Sequence, residues 1–450
     1  MKAKQIRSLN THRMKTSRFI TLLLIILAGE LIFALPFHIT RFFRPTFLEV
    51  FTLSNSQLGD IFAIYGLVAT LAYFPGGLIA DRFPAHKLMA ASLLATALGG
   101  VYLWTIPSTL GLKTLFGFWG LTTILLFWGA MIKATRAWGT TDAQGLAFGL
   151  LDGGRGLVAS IFASIAVYIF GLYLMEALVS QETTKQAQGL KSVILFYAAA
   201  TALTALPVWL MTTGRNSTSN TLPSSSISRR ELSTRINAAT KSTIGALKDT
   251  RIWLQGGIVV AAYCGYKSLD NIGIYAVEVM GMSQIDSAKL ATLTSYIRPI
   301  AAVLAGLMVD RFSASRIISI LFLILMLGSL CLSSLDPSQI MINLIVTNLL
   351  VTFIAVYALR GVYFSLIEQS NIAFNRTGTA VGVISFVGFT PDIFFASITG
   401  RILDANPGFA GFQHYFLLIT MFSLIGMIFS VFLTKKIAQT PPLPITPQDS

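Results

Sequence analysis

Charge is scarce in this sequence. Only 12% of its residues are Asp, Glu, Lys or Arg, about half the share of a soluble domain. That leaves too little polar surface to clothe a water-exposed globule. Cysteine is scarcer still. Cys264 and Cys331 are the only two, and both lie in apolar runs, so neither a disulfide framework nor a cysteine metal site is implied. The four histidines, His12, His38, His86 and His414, are scattered. No His-Glu-x-x-His or Gly-x-Ser-x-Gly pattern occurs, which leaves a hydrolase reading without support. No Gly-x-x-x-x-Gly-Lys-Ser/Thr loop occurs either, so ATP is not expected to drive a cycle. No catalytic residue, metal or cofactor is expected, and the chain is not read as an enzyme.

What the sequence does have is apolar length. Hydrophobic residues make up 54% of it. They come in runs of about 20 or more, the length that crosses roughly 30 Å of hydrocarbon. The ten-residue alternation of a β-barrel is absent. The reading is an all-α membrane protein with twelve transmembrane helices in two six-helix bundles. Spans 1 to 6 fall near 19–40, 57–80, 87–106, 112–133, 146–172 and 190–212. Spans 7 to 12 fall near 252–276, 286–309, 314–334, 339–361, 378–402 and 411–434.

Five segments follow. Residues 1–18 form a basic cytoplasmic tail, 19–212 the N-terminal bundle and 213–250 a polar cytoplasmic linker with room for a surface helix over 231–248. Residues 251–436 form the C-terminal bundle, and 437–450 a Pro-rich disordered tail. The net charge of +14 would point to nucleic acid on a soluble chain. Here the basic residues sit at span ends, so the bilayer is the expected partner and nucleic acid is not. They also gather on alternate segments. The N-terminal tail, the 213–250 linker and the turns holding Arg82, Lys87, Lys133, Arg136, Arg311 and Arg316 are rich in them. The other set holds only Arg41, Arg44, Lys113, Lys185, Lys191, Lys289 and Arg401. Positive residues stay inside, so both termini are expected in the cytoplasm of an inner or plasma membrane. The first run is too long for a signal h-region and is expected to remain uncleaved.

One stretch occurs twice. Gly77-Leu78-Ile79-Ala80-Asp81-Arg82-Phe83 closes span 2, and Gly306-Leu307-Met308-Val309-Asp310-Arg311-Phe312 closes span 8. Two copies at half-chain separation mean two similar halves. Gly145 and Gly149 open span 5, and Gly378 and Gly382 open span 11, at a spacing that lets helix backbones approach.

Twelve spans split six and six, a central linker and this paired turn resemble the major facilitator superfamily over residues 19–434. The family's signature runs Gly-x-Leu-Ala-Asp-Arg-x-Gly-Arg-Lys. Gly77, Asp81 and Arg82 match it. Pro84, Ala85 and His86 depart from it, with Lys87 one place late. The second copy keeps Gly306, Asp310 and Arg311 and ends in Ser315-Arg316. The family's mid-span-4 Arg and the antiporter Gly-Pro pattern of span 5 are missing, which points away from a drug-exporter branch. The resemblance implies that Asp81, Arg82, Asp310 and Arg311 act in gating, with the acidic residue docking near a helix end of the opposite half. The span 5 pair Asp152 and Arg155 joins that gating set. The resemblance also implies that spans 1, 4, 7 and 10 line a central cavity, flanked by 2, 5, 8 and 11.

Charges inside the membrane cost at least about 2.5–3.5 kcal/mol on insertion scales and normally face a partner or a cavity. Glu30 is central in span 1, with no cation within one turn on its own helix. Asp152 and Arg155, like Lys267 and Asp270, stand at i and i+3, so an internal salt bridge is the plain reading of each pair. Arg298 is central in span 8, Arg360 closes span 10, and Asp392 follows Pro391 in span 11. Arg298 is the leading substrate-binding candidate, because a guanidinium grips a carboxylate or phosphate bidentately. Lys267, Tyr266, Tyr296 and Asn348 follow it. Proton coupling needs a desolvated carboxylate, so Glu30, Asp270 and Asp392 are its candidates.

The expected function is secondary active transport of a small polar organic solute, anionic or zwitterionic, by proton-coupled alternating access, in a monomer. A neutral solute such as a sugar or nucleoside is the alternative. A non-transporting sensor that keeps the fold is the other.

Overall fold

The structure, a computed structural model, describes residues 18–139, 144–180, 184–211, 247–335, 342–370 and 377–439. The expectations for the N-terminal tail, most of the 213–250 linker with its surface helix, and the C-terminal tail lie outside them. Among the described residues the chain is helical, with no strand. Among the described residues nine helices are long and apolar enough to cross a membrane, and two bent pairs, which cover spans 1 and 2, bring the number to 11. Span 7 is the one expected span that falls short. Its helix Thr250–Ser268 carries Arg251, Gln255 and Lys267, which lower its apolarity.

The helices break where the charges are. Span 1 runs as Arg18–Leu31 and then Ala34–Phe42, bent by 42°. Residues Ala34–His38 are wound as a π-helix around Pro36. Proline has no N–H to complete the α-helical ladder, so the helix widens and kinks there. Span 7 breaks into a 3₁₀ turn over Leu269–Asn271, directly after Lys267. Span 8 breaks at Tyr296, between helices Gln284–Ser295 and Ile297–Arg311. Span 11 breaks at Phe389–Thr390, between Thr377–Gly388 and Pro391–Ala405. Non-helical backbone is tolerated at membrane depth only where protein or water satisfies it, and polar side chains collect at those points.

Compact packing does not follow the halves of the sequence. One unit comprises Met1–Ser217 with Asp270–Pro299, and the other Thr218–Leu269 with Ile300–Ser450. The break in span 7 explains the change of allegiance. In the first unit, Ser295 Oγ lies 2.8 Å from Ser160 Oγ, Tyr296 Oη 3.0 Å from Ser164 Oγ, and Thr46 Oγ1 donates to Gln284 Oε1 at 2.5 Å. Gln284 Nε2 in turn donates to Glu49 at 2.7 Å. Residues 270–299 are therefore tied to spans 1 and 5 by a row of polar bonds. In the second unit, the Gly426 backbone approaches Phe322 and Ala261 closely, which draws Ala314–Ser334, Thr250–Ser268 and Phe409–Ala438 together.

Spans 2 and 4 approach backbone to backbone at Gly76. A Cβ on Gly76 would lie 3.0 Å from the carbonyl oxygens of Ile124 and Leu125, and one on Gly77 would meet nothing within 4 Å. Backbone atoms cannot give way as a side chain can. Gly76→Ala is therefore expected to cost about 1–3 kcal/mol through overpacking. Gly77→Ala is expected to be neutral or stabilising by up to about 1 kcal/mol, since Ala is the better helix former. Thermal unfolding of the two purified variants checks this; equal melting temperatures would contradict it. Gly149 and Gly382 also have open space around them, so close approach falls at Gly76 and not at those two.

Candidate functional site

The first unit holds a buried polar cluster just below the bend of span 1. Glu30, one turn before the bend, receives Arg155 of span 5 from Nε to Oε2 at 3.0 Å. Its other oxygen lies 3.1 Å from His38 Nε2 and 3.9 Å from the Arg298 guanidinium. Arg298 donates from its second nitrogen to Asp152 at 2.9 Å. Glu30, His38, Arg155 and Arg298 are all buried, but the Asp152 side chain is 43% exposed. The Arg155 guanidinium also lies over the Phe33 ring at 5.4 Å. Desolvating these groups one at a time would be costly; gathered together, each meets an opposite charge or a hydrogen-bond partner.

Glu30 has no cation within one turn of its own helix, and its guanidinium partners come from spans 5 and 8. The members of the pairs Asp152 and Arg155, and Lys267 and Asp270, also reach beyond their own helices. Asp152 meets Arg298, and Arg155 meets Glu30. Asp270 accepts from Arg41 Nε at 2.5 Å in the first unit. Each of these four charges reaches a partner on another helix.

Lys267 belongs to the second unit. Its Nζ lies 3.3 Å from Asp392 Oδ1. The Tyr263 hydroxyl donates to the same carboxylate at 3.1 and 3.0 Å. Asp392 occupies the first turn of helix Pro391–Ala405, where the helix dipole favours a carboxylate. Tyr266 is buried beside this group. It stacks on Tyr263, with ring centroids 5.8 Å apart, and carries the Arg360 guanidinium 3.9 Å above its ring.

The other candidates are spread out. Tyr296 bonds Ser164 of span 5. Asn348 donates to the Gly328 carbonyl at 3.0 Å, a helix-to-helix bond within the second unit. Asp81, Arg82 and Arg311 are exposed at helix ends, and the Asp310 side chain lies outside the described set. Lys133 donates to the carbonyls of Ala80, Asp81 and Phe83 at 2.6, 3.2 and 3.4 Å. It thereby caps the C-terminus of span 2 with a cation, as the helix dipole favours. Arg18 and Trp138 clasp each other, each donating to the other's carbonyl, at 2.8 and 2.6 Å. No group of three or more His, Cys, Asp or Glu side chains placed to hold a metal occurs among the described residues.

Two residues of the first cluster escape a sequence reading. His38 is one histidine among four scattered ones; the available signal is its spacing of eight from Glu30, two helical turns on one face. Tyr197 of span 6 sets its ring edge-on to His38, 5.6 Å between centroids. Nothing in the sequence links it to Glu30.

Comparison with known proteins agrees with this architecture. A family model described as Major Facilitator Superfamily matches residues 19–396. The inner membrane protein YihN of Escherichia coli K12 is 28% identical over 428 residues, which cover 92% of this chain and 95% of that protein. The inner membrane protein YqcE of the same organism is 24% identical, over 93% of this chain and 95% of that one. Among solved structures, a bacterial homolog of the human lysosomal transporter Spinster, inward-facing and unoccupied, superposes with a TM-score of 0.72 at 17% identity. It covers 95% of this chain and 99% of its own. The nucleoside transporter NupG gives a TM-score of 0.64 at 11% identity, over 94% and 99%. At such identities the two structures establish the fold alone.

Proposed function

This chain belongs to the major facilitator superfamily, and on that premise we propose that it is a secondary active transporter moving a small anionic or zwitterionic organic solute by proton-coupled alternating access. It is an integral, multi-pass membrane protein of a transporter family, and a small molecule is its substrate. The membrane we assign is the cytoplasmic one, in keeping with the names of the Escherichia coli relatives. Both termini lie on the cytoplasmic side, and the working unit is a monomer.

The observation that carries this reading is the convergence of two guanidinium groups and an imidazole on Glu30. Such a group is costly to keep at membrane depth and is retained for a task. Arg298 takes the substrate anion. Its partner Asp152 is half exposed, so water solvates that carboxylate when a solute displaces it from Arg298. Coupling depends on Glu30. Tyr296 stands beside Arg298 in the first unit as a further substrate-binding group, Lys267 and Tyr266 are the substrate-binding candidates of the second unit, and Asp270 and Asp392 are the secondary coupling carboxylates.

Glu30→Gln is expected to abolish solute accumulation driven by a pH gradient and to leave solute exchange intact. Uptake and counterflow in proteoliposomes measure the two separately; unchanged accumulation removes Glu30 from coupling. Asp81, Arg82, Asp310 and Arg311 hold the cytoplasmic gate, with Asp152 and Arg155 beside the site as its inner members. Asp81→Asn is expected to raise cysteine labelling from the cytoplasmic side several-fold, and an unaltered pattern counts against gating.

A neutral solute is the second reading. In its favour, Arg41, Arg155, Arg298 and Lys267 each already have a carboxylate partner. The charges would then serve coupling and gating alone.

A further inference from the structure

We propose that the coupling proton is bound by His38, at Nδ1, and that Glu30 is the fixed counter-ion which holds that imidazole and does not itself carry the proton. This rests on the proton-coupled reading above. The geometry fixes the tautomer first. Glu30 Oε1 lies 3.1 Å from His38 Nε2, and an ionised carboxylate can only accept. Nε2 therefore carries the hydrogen of the neutral ring, and Nδ1 carries the lone pair. Nδ1 is buried and has no hydrogen-bond partner among the described residues. A buried polar atom left unsatisfied is rare and calls for an explanation.

The explanation we assign is that a second proton arrives there. It comes from the aqueous phase and adds to the Nδ1 lone pair, and no other covalent bond changes. The Tyr197 ring stands edge-on to that of His38, 5.6 Å between centroids, and its hydroxyl is likewise buried without a partner among the described residues. Histidine is the side chain that changes charge in the physiological range. Both oxygens of Glu30 are already engaged, one by Arg155 at 3.0 Å and the other by His38 Nε2 at 3.1 Å.

The ion-paired groups of the cluster among the described residues enter the balance, while Arg41, further along span 1, is paired with Asp270. Span 1 contributes Glu30, span 5 Arg155 and Asp152, and span 8 Arg298; span 6 contributes the neutral Tyr197. With His38 neutral, two guanidinium groups face two carboxylates and the cluster carries no net charge. Protonation leaves it with one positive charge in excess. It also gives Glu30 a full cationic partner from its own helix, which loosens its hold on Arg298. The protonated cluster is therefore the complement of a monoanion, and one proton and one negative charge are carried together.

The test is an NMR titration of the full-length protein in lipid nanodiscs, labelled with ¹⁵N in histidine and ¹³C in the glutamate carboxyl, from pH 5 to 9. His38→Gln and His38→Asn, either of which serves if the other fails to fold, assign the His38 signals by their loss. We expect the second proton to be taken up by the His38 ring and not by the Glu30 carboxyl. A His38 ring that stays neutral while the Glu30 carboxyl takes up the proton overturns this inference and leaves proton coupling standing. If neither group titrates, this inference falls, and the assignment of coupling to Glu30 falls with it.

Discussion

Arg298→Ala is expected to weaken solute binding by about 30-fold or more, the factor that corresponds to losing the roughly 2 kcal/mol or more that one member of a buried charge pair contributes. The substitution removes the cation that Asp152 and Glu30 share and leaves both carboxylates in place. An anionic solute then meets like charge where it met a guanidinium. Isothermal titration, using whichever metabolite raises the wild-type melting temperature in a thermal-shift screen, measures the loss. Arg298→Lys is expected to recover part of it, because charge returns without the bidentate fork. Affinity unchanged in Arg298→Ala would favour the neutral-solute reading, and absence of flux for any solute in proteoliposomes would favour a sensor.

Stability should respond most strongly at Arg155. Arg155→Met leaves Glu30 buried with its principal cation gone, a change that costs about 3–5 kcal/mol when nothing compensates. His38 and the more distant Arg298 guanidinium remain as partial partners, so the lower end of that range is expected. Adding Glu30→Gln removes the stranded charge and should restore much of the loss. Melting temperatures of the single and double variants decide the point. A double variant no more stable than Arg155→Met would mean that the Glu30–Arg155 pair is not what holds spans 1 and 5 together.

The fold was legible because its signals are long. Apolar runs of bilayer length and a turn repeated at half-chain separation need no tertiary information. Span 7 falls short of the apolarity of a spanning helix because Arg251, Gln255 and Lys267 are written into it. Pairing was not legible. Arg155 lies 125 residues from Glu30 and Arg41 lies 229 from Asp270, and no local pattern announces such partners. The local pattern that was visible, charges at i and i+3, described a shared helix face and missed which neighbour each charge would meet. Lys267 and Asp270 show why: the 3₁₀ turn at Leu269–Asn271 intervenes, and they end in different compact units. Lys133 was visible as a basic residue at a span end, but its three carbonyl partners depend on how closely span 4 lies against span 2. That closeness depends in turn on Gly76.

The separation of Glu30 from Arg155 also has a consequence for biosynthesis. At about 5–20 residues per second, the 125 residues between them take roughly 6–25 s to emerge. Throughout that interval span 1 must enter the bilayer with its carboxylate and without its guanidinium. His38 is translated within the same segment and is ready at once. Its bond to Glu30 is the earliest polar contact the cluster can form, so the imidazole serves as an escort for the carboxylate until span 5 is inserted.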